Sequence, residues 1–363
     1  MSGHPSAAGL FSAAETYLDT ASYGLPPEPA VQASARALRQ WQTGTGSWPV
    51  DWDPLGEDCR RLLASLAGAR TADLALVPAV SVGVAIVASM LRLGDEILVA
   101  DDEFASVLLP LVVAEAERGA RIRRVPFDEL VGEISDETAL VAVSHVRSNG
   151  GGRIDLAALS ERARATGTAV LLDATHSAGV LGVDARRHDL DFVVAAGYKH
   201  LLCPRGVGFL AVAERWRERV LPRCASWRAQ ADPYGGYFGG DLGKLAPDAA
   251  RYDVSLAWFA WVGARESLAF LDGVPTAERE AWCVGLADAL AERLEIAPTG
   301  SSVLGVPVRG TRDEIAATLR EAGIRMTCAD GSVRVSFHLY NDHDDVARAS
   351  AVLAPLRDPH RSA

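Results

Sequence analysis

The stretch that decides the fold reads AVLLDATHSAG (169–179), followed after a short connection by DFVVAAGYKHLLCPRGVGFLAV (191–212). It contains three apolar, β-branched runs: Ala169–Asp173, 191–195 and 206–212. Each is too short for a core helix and is bounded by Gly, Pro, Asp or His, so each is predicted as a fully buried strand. The first run ends in Asp173, followed by Ala-Thr-His176, and the second leads into Ala-Gly-Tyr198-Lys199-His200. Open α/β sheets bind their ligands beyond the carboxyl ends of the strands. A carboxylate and an amine are therefore expected at neighbouring strand ends. Taken alone, a lysine after a strand reads as a solvated loop charge; the pairing with Asp173 reverses that reading. The pair suits an aldehyde cofactor with a basic ring nitrogen. The lysine bonds the carbonyl as a Schiff base, and the carboxylate holds a proton on the ring so that it draws electrons.

Further strand candidates lie at Leu74–Val77, Glu96–Ala100, 122–127 and 139–143, with helical patterns at 110–118 and Leu156–Thr166. This alternation predicts an α/β protein with an open, mainly parallel sheet covered by helices. The 18 uncharged residues from Leu74 to Leu91 meet the nominal length of a membrane span. Pro78 and the wealth of Ala, Gly and Ser favour a buried strand, LALVP, turning into a buried helix, SVGVAIVASML. The segment 224–251, rich in Gly, Tyr, Asp and Pro, is expected to be a long functional loop. Helices at 255–271, 277–294 and 311–322, strands at 305–309 and 332–337, and a last helix from 342 suggest a smaller α+β unit. The expected division is a large unit at 17–254 and a small one at 255–363. Residues 1–16 are expected to pack on the small unit, and the tail after Pro355 to fray.

Of the 363 residues, 36 are Lys or Arg and 47 Asp or Glu, for a formal charge of −11. With 49% hydrophobic and 23% charged residues the chain is neither disordered nor fibrous. Its acidity argues against nucleic-acid binding, which needs a basic face. The five cysteines, at 59, 203, 224, 283 and 328, lack CxxC spacing and are odd in number, against a disulfide framework or a zinc site. Residues 1–15 have neither the positive start nor the apolar core of a signal peptide. No G-x-G-x-x-G turn follows the first strand, against a nicotinamide-binding enzyme. The expectation is a cytoplasmic enzyme with no membrane or nucleic-acid partner.

Five segments occur in a telling order: YLDTASYGLPP (17–27), DATHS (173–177), GYKH (197–200), PRGVG (204–208) and VRVSFHLYN (333–341). Together they resemble the fold-type-I pyridoxal-phosphate enzymes, and more narrowly the class V aminotransferase and cysteine-desulfurase-like superfamily. The resemblance implies pyridoxal 5'-phosphate on Lys199, a small amino-acid substrate, and a homodimer with shared active sites. Lys199 would also move the proton at the substrate α-carbon, Asp173 would pair with the pyridine nitrogen, and His176 would contact the phenolic oxygen or line the ring. The turn AVSVG (79–83) opens a helix, so Val80 and Ser81 can offer backbone N–H groups to the phosphate; Ser81 reads equally as a helix cap. Phe104, in DEFAS, would stack on the ring, and Tyr198 would reach the phosphate. Ala196 stands where the family often has a serine, removing one phosphate contact. Ser144, His145 and Ser148 belong to the loop bordering the cofactor, with His145 equally readable as a core histidine. Arg334 matches the arginine that binds the substrate carboxylate, a planar fork suited to bidentate pairing. By resemblance Arg205 and Gly206 reach the neighbouring subunit's phosphate. Tyr234 and Tyr237, with Trp258 and Trp261, are candidates for the substrate pocket, although the Trp spacing also suits core packing.

A cysteine desulfurase needs a mobile loop carrying a nucleophilic cysteine before that arginine. Here GIRMTCADGSVR (323–334) is short, and Cys328 is expected in a tight turn, which argues against a persulfide mechanism. The short loop and the two motifs PRGVGFLAV and VRVSFHLYN look most similar to the C–S lyases of ergothioneine biosynthesis and their lincosamide-pathway relatives. The resulting expectation is β-elimination from an S-substituted cysteine. The alternatives are an aminotransferase, a decarboxylating deaminase or an epimerase of the same superfamily, a kynureninase-like hydrolase, or a non-catalytic relative.

Overall fold

A computed structural model describes residues 3–360; residues 1, 2 and 361–363, the outer ends of the expected 1–16 and 255–363 segments, lie outside them. The chain opens with β1 (Thr16–Tyr17), α1 (Glu28–Thr43) and α2 (Leu55–Ala67). There follow β2 (Leu74–Val77), α3 (Val80–Ala88), β3 (Glu96–Ala100), α4 (Ala105–Arg118), β4 (Arg121–Val125), β5 (Thr138–Ser144), α5 (Leu156–Thr166), β6 (Ala169–Asp173), β7 (Phe192–Ala196) and β8 (Gly208–Val212). The remainder comprises α6 (Trp258–Asp272), α7 (Thr276–Arg293), β9 (Val303–Pro307), α8 (Arg312–Glu321), β10 (Ile324–Arg325), β11 (Thr327–Ala329), β12 (Ser332–Ser336) and α9 (His343–Leu353).

Seven strands form the main sheet in the order β2-β8-β7-β6-β5-β3-β4. β8 runs antiparallel to both neighbours and every other pair is parallel, so the mainly parallel sheet is observed. The chain moves outward from β3 to β4, then returns to the other side of β3 as β5. That reversal opens a crevice at the carboxyl ends of β3 and β5, where such sheets hold ligands. Apart from the edge strand β4, the strands are buried on both faces, as their apolar runs require. At one edge β2 is covered, because the Leu76 N–H donates to Asp253 Oδ1 at 2.8 Å and Leu76 O accepts from Val254. At the other edge β4 reads RIRRV, with Arg121 and Arg124 exposed and Arg123 paired to Glu96 and Glu133.

The expected strand at 122–127 stops at Val125 because Pro126 has no N–H for the ladder. The strand expected at 191–195 begins one residue later, since the Asp191 carboxylate instead accepts from the Val170 N–H at 2.8 Å. Helix α4 begins five residues before the expected 110 and carries Pro110 inside it.

A second core joins Leu18 to Leu286, Leu290, Val306, Val335 and Phe337 beneath the antiparallel sheet β11-β12-β9. The N-terminal segment lies against this unit: β1 pairs in parallel with β10, and the His4 N–H donates to Leu339 O at 2.7 Å. Helix α6 packs on α1 and α2, and its Trp261, Leu268 and Leu271 enter the core of the main sheet. Segment 224–251 has short 3-10 turns and otherwise neither helix nor strand; Arg228, among Asp53, Glu57 and Asp253, anchors it to α2. The tail does not fray directly after Pro355: the Arg309 N–H donates to Leu356 O at 2.7 Å and the Asp358 N–H to Pro307 O at 3.0 Å. No described helix is long and apolar enough to cross a membrane, and the described cysteines are all free.

Candidate active site

The connection from β7 to β8 closes on itself: the Gly197 N–H donates to Val207 O at 2.8 Å, and the Cys203 N–H to Gly197 O at 2.9 Å. A Cβ at 197 would lie only 3.0 Å from Cys203 Cβ and Val207 O, so glycine lets the loop close tightly. This loop projects Lys199 into a cavity at the strand ends. Its Nζ lies 2.9 Å from His176 Nε2 and 5.0 Å from the centre of the Phe104 ring. Lys199 is only 6% exposed. Burial is the largest influence on it and outweighs the opposing charge of Asp173; with the help of Arg334 and Arg205 it brings the pKa down to about 8.

Asp173, at the end of β6, lines the same cavity and is 5% exposed. Its Oδ1 accepts from the Thr175 N–H at 2.9 Å and the Thr175 hydroxyl at 2.5 Å, which leaves Oδ2 for a ligand. Burial raises its proton affinity, opposed by the Thr175 hydrogen bonds and the Lys199 charge. A protonated ring nitrogen is the kind of partner such a carboxylate lacks. His176 is held neutral, its pKa well below the ordinary value through burial and then the neighbouring Lys199 charge; its Nε2 also lies 3.2 Å from Ala21 O.

Val80 and Ser81, at the amino end of α3, line the cavity with Ala196 and Tyr198. This end offers N–H groups with no partner within the helix, on the positive side of its dipole, as a phosphate requires. Arg205 enters the cavity of its own chain, its Cζ 4.9 Å over the Tyr198 ring. It brings positive charge to a wall where Ala196 offers no hydroxyl. Phe104, 40% exposed, forms one face opposite Lys199. Ser144 and Ser148 line the cavity as well. His145 does not: it is fully buried, its Nε2 accepts from Arg153 at 3.3 Å, and burial lowers its pKa to about 3. It is a core histidine.

Arg334 stands on β12 beside this cavity, NH1 donating to Ser148 O and NH2 to the Ser22 hydroxyl, both at 2.7 Å. Cys328 is in β11, next to Thr327, and strand alternation turns it to the opposite face; its Sγ lies 3.7 Å from Arg312 O, away from Arg334. Tyr234, Tyr237 and Trp258 belong to an aromatic cluster around Trp48 and Trp227, and Trp261 is a core residue. None of the four lines the cavity.

Two groups escaped the sequence reading. Glu103 accepts from the Ser144 N–H (2.8 Å) and hydroxyl (2.5 Å) and from the Phe104 N–H (2.7 Å), fixing the approach to the aromatic face. Asp19, Ser22 and Thr327 surround Arg334. A carboxylate directly before Phe104 was the available signal for the first; the second carries none, because its members are far apart in sequence.

An amine for an aldehyde, a buried carboxylate with a free oxygen, an aromatic face and a helix end for phosphate define a pyridoxal-phosphate site on an open α/β sheet. The family model for class-V aminotransferases matches residues 16–349. The chain belongs to the aminotransferase class-V family, and its cofactor is pyridoxal 5'-phosphate. It is 30% identical to a kynureninase of Deinococcus radiodurans over 60% of this chain and 56% of that one. It is 35% identical to an isopenicillin N epimerase of Streptomyces clavuligerus over 46% of each chain. The chain thus spans about half the length of these two relatives. Among solved structures, the cystine C–S lyase C-DES with its product cysteine persulfide superposes with a TM-score of 0.85 at 22% identity, covering 95% of this chain and 99% of that one. An apo cysteine desulfurase from Thermococcus onnurineus gives 0.78 at 20% identity, covering 94% of each. These two likenesses speak to the fold.

Proposed function

We propose that the chain is a lyase that cleaves the C–S bond of an S-substituted cysteine by β-elimination, releasing a thiol, pyruvate and ammonia. The observation that carries this reading is the Lys199 amine, buried and of lowered pKa, facing Asp173 across the cavity beside Arg334. When bound, pyridoxal phosphate supplies the sink for the electron pair of the broken Cα–H bond. Arg334 binds the substrate carboxylate and so sets which α-carbon bond faces the sink. Lys199 takes the α-proton at Nζ, and neutral His176 keeps a hydrogen-bond partner beside that nitrogen in either protonation state. The Cβ–S bond then breaks as the α,β double bond forms. The thiolate takes a proton, and water converts the released enamine to pyruvate and ammonia. Cys328, turned away on β11, supports elimination over persulfide transfer.

The groove beside the cavity, bordered by Tyr23, Val31 and Leu38, each nearly half exposed, supports association of two copies over that face.

The test is pyruvate release from a panel of S-substituted cysteines and their sulfoxides, with Lys199→Ala as the blank. Lysine-dependent pyruvate is expected. Alanine as product would point to a kynureninase-like hydrolase, and accumulation of the amine form of the cofactor to an aminotransferase; either would overturn the lyase reading.

A further inference from the structure

The guanidinium of Arg334 is surrounded by hydroxyls in an unusual order. NH2 donates to Ser22 Oγ at 2.7 Å and to Thr327 Oγ1 at 3.3 Å. The two hydroxyls lie 2.7 Å apart, and the Thr327 hydroxyl donates to Asp19 Oδ1, also at 2.7 Å. A hydroxyl has one proton. Because the proton of Thr327 goes to Asp19, Thr327 Oγ1 can only accept from the Ser22 hydroxyl. The direction of the run is therefore set: Arg334 to Ser22, Ser22 to Thr327, Thr327 to Asp19. Both oxygens are left facing the guanidinium with lone pairs. Asp19 lies 3.9 Å from NH2, too far for a direct hydrogen bond, so it acts through Thr327.

The run joins three segments. Thr327 sits directly opposite Arg334 in the β11–β12 ladder. Asp19 is bridged to Ser336, and the Ala21 N–H donates to Ser336 Oγ at 2.8 Å, which fixes the N-terminal segment over the arginine. Ser148 O takes one NH1 proton at 2.7 Å, while the buried Nε–H has no partner. The fork is thus held at NH2 by the hydroxyls and at NH1 by Ser148, and the second NH1 proton is taken by none of these groups.

We infer that Asp19 and Thr327 are positioning residues that hold Arg334 ready for a carboxylate through this directed run of hydroxyls. The inference rests on the proposal that Arg334 binds the substrate carboxylate. A prearranged fork improves binding by removing the cost of ordering it. The effect of Thr327 belongs to the carboxylate, whereas the Asp19 charge also bears on the Lys199 amine, so Thr327 carries the test.

The experiment titrates the cofactor-loaded protein with L-alanine, which has no leaving group, and with ethylamine, its counterpart without the carboxylate, following cofactor absorbance. Thr327→Val is expected to weaken L-alanine binding about tenfold, as for a lost hydrogen bond to a charged group, and to leave ethylamine unchanged. Thr327→Ser restores the native value, Asp19→Ala weakens L-alanine binding as Thr327→Val does, and in Thr327→Val the KM for a turned-over substrate rises with kcat held within about threefold. Equal weakening of both probes, or of neither, would overturn the inference. Arg334→Ala separates the two levels. If it leaves L-alanine affinity intact, the carboxylate proposal falls and the brace with it. If it weakens L-alanine while Thr327→Val does not, only the brace falls.

Discussion

At pH 7 a lysine with a pKa of about 8 is neutral in about one molecule in ten, against about one in three thousand for an ordinary lysine. Only the neutral amine attacks an aldehyde. The rate at which cofactor-free protein captures pyridoxal phosphate should therefore rise with pH up to about 8 and then level, as stopped-flow absorbance would show. A rate still climbing tenfold per unit at pH 9.5 would mean that Lys199 is not held in this buried, neutral-favouring place. The cavity-lining residues named from the sequence, Lys199, Asp173, His176 and Phe104, all stand at a strand end or within four residues of one, where chemistry and position coincide along the chain. Those that were not readable act across it: Ser144 is 41 residues from Glu103, and Thr327 is 308 from Asp19. Such contacts depend on strand order and on how the N-terminal segment lies across β12, and no local spacing encodes either.

Helix α3 shows how an element reaches its place through one small residue. A Cβ on Gly83 would come within 2.8 Å of Val194 Cγ2 on β7, so glycine lets the helix lie close against the sheet and aim its first turn into the cavity. Gly83→Leu is expected to push the helix outward, costing about 1–3 kcal/mol and loosening the phosphate end of the site. Thermal unfolding and the rate of cofactor loss on dialysis should both register it; a lower melting temperature with unchanged cofactor retention would separate packing from phosphate binding. The strand-to-helix turn itself was legible, because LALVP and SVGVAIVASML change period at a proline. The start of α4 was not. Pro110 has the look of a helix opening, yet here it lies inside, and the helix begins where Glu103 and Ser144 fix Phe104.

For the molecule as a whole, the buried charges beneath segment 224–251 matter most. Arg228, 3% exposed, pairs with fully buried Asp53, which also accepts from Tyr234 at 2.8 Å and Trp258 at 2.9 Å. Arg60 pairs with Asp253 alongside. Removing one member of such a pair strands the other charge, so Arg228→Ala should cost about 3–5 kcal/mol, read as a large fall in the urea midpoint; a shift below about 1 kcal/mol would mean that water reaches Asp53. The mainly parallel sheet was visible in the alternation of strands and helices. The neighbours of α6 were not, because a helix apolar on several sides does not name what it touches. The two borders of the main sheet have a consequence of their own. Open strand edges invite other chains to add on and grow into fibrils. On one border Asp253 and Val254 already occupy the backbone groups of Leu76, and on the other three arginines line a five-residue strand. Neither border offers a template for a further strand, so a crowded solution of this protein is guarded against the commonest route by which β-rich molecules aggregate.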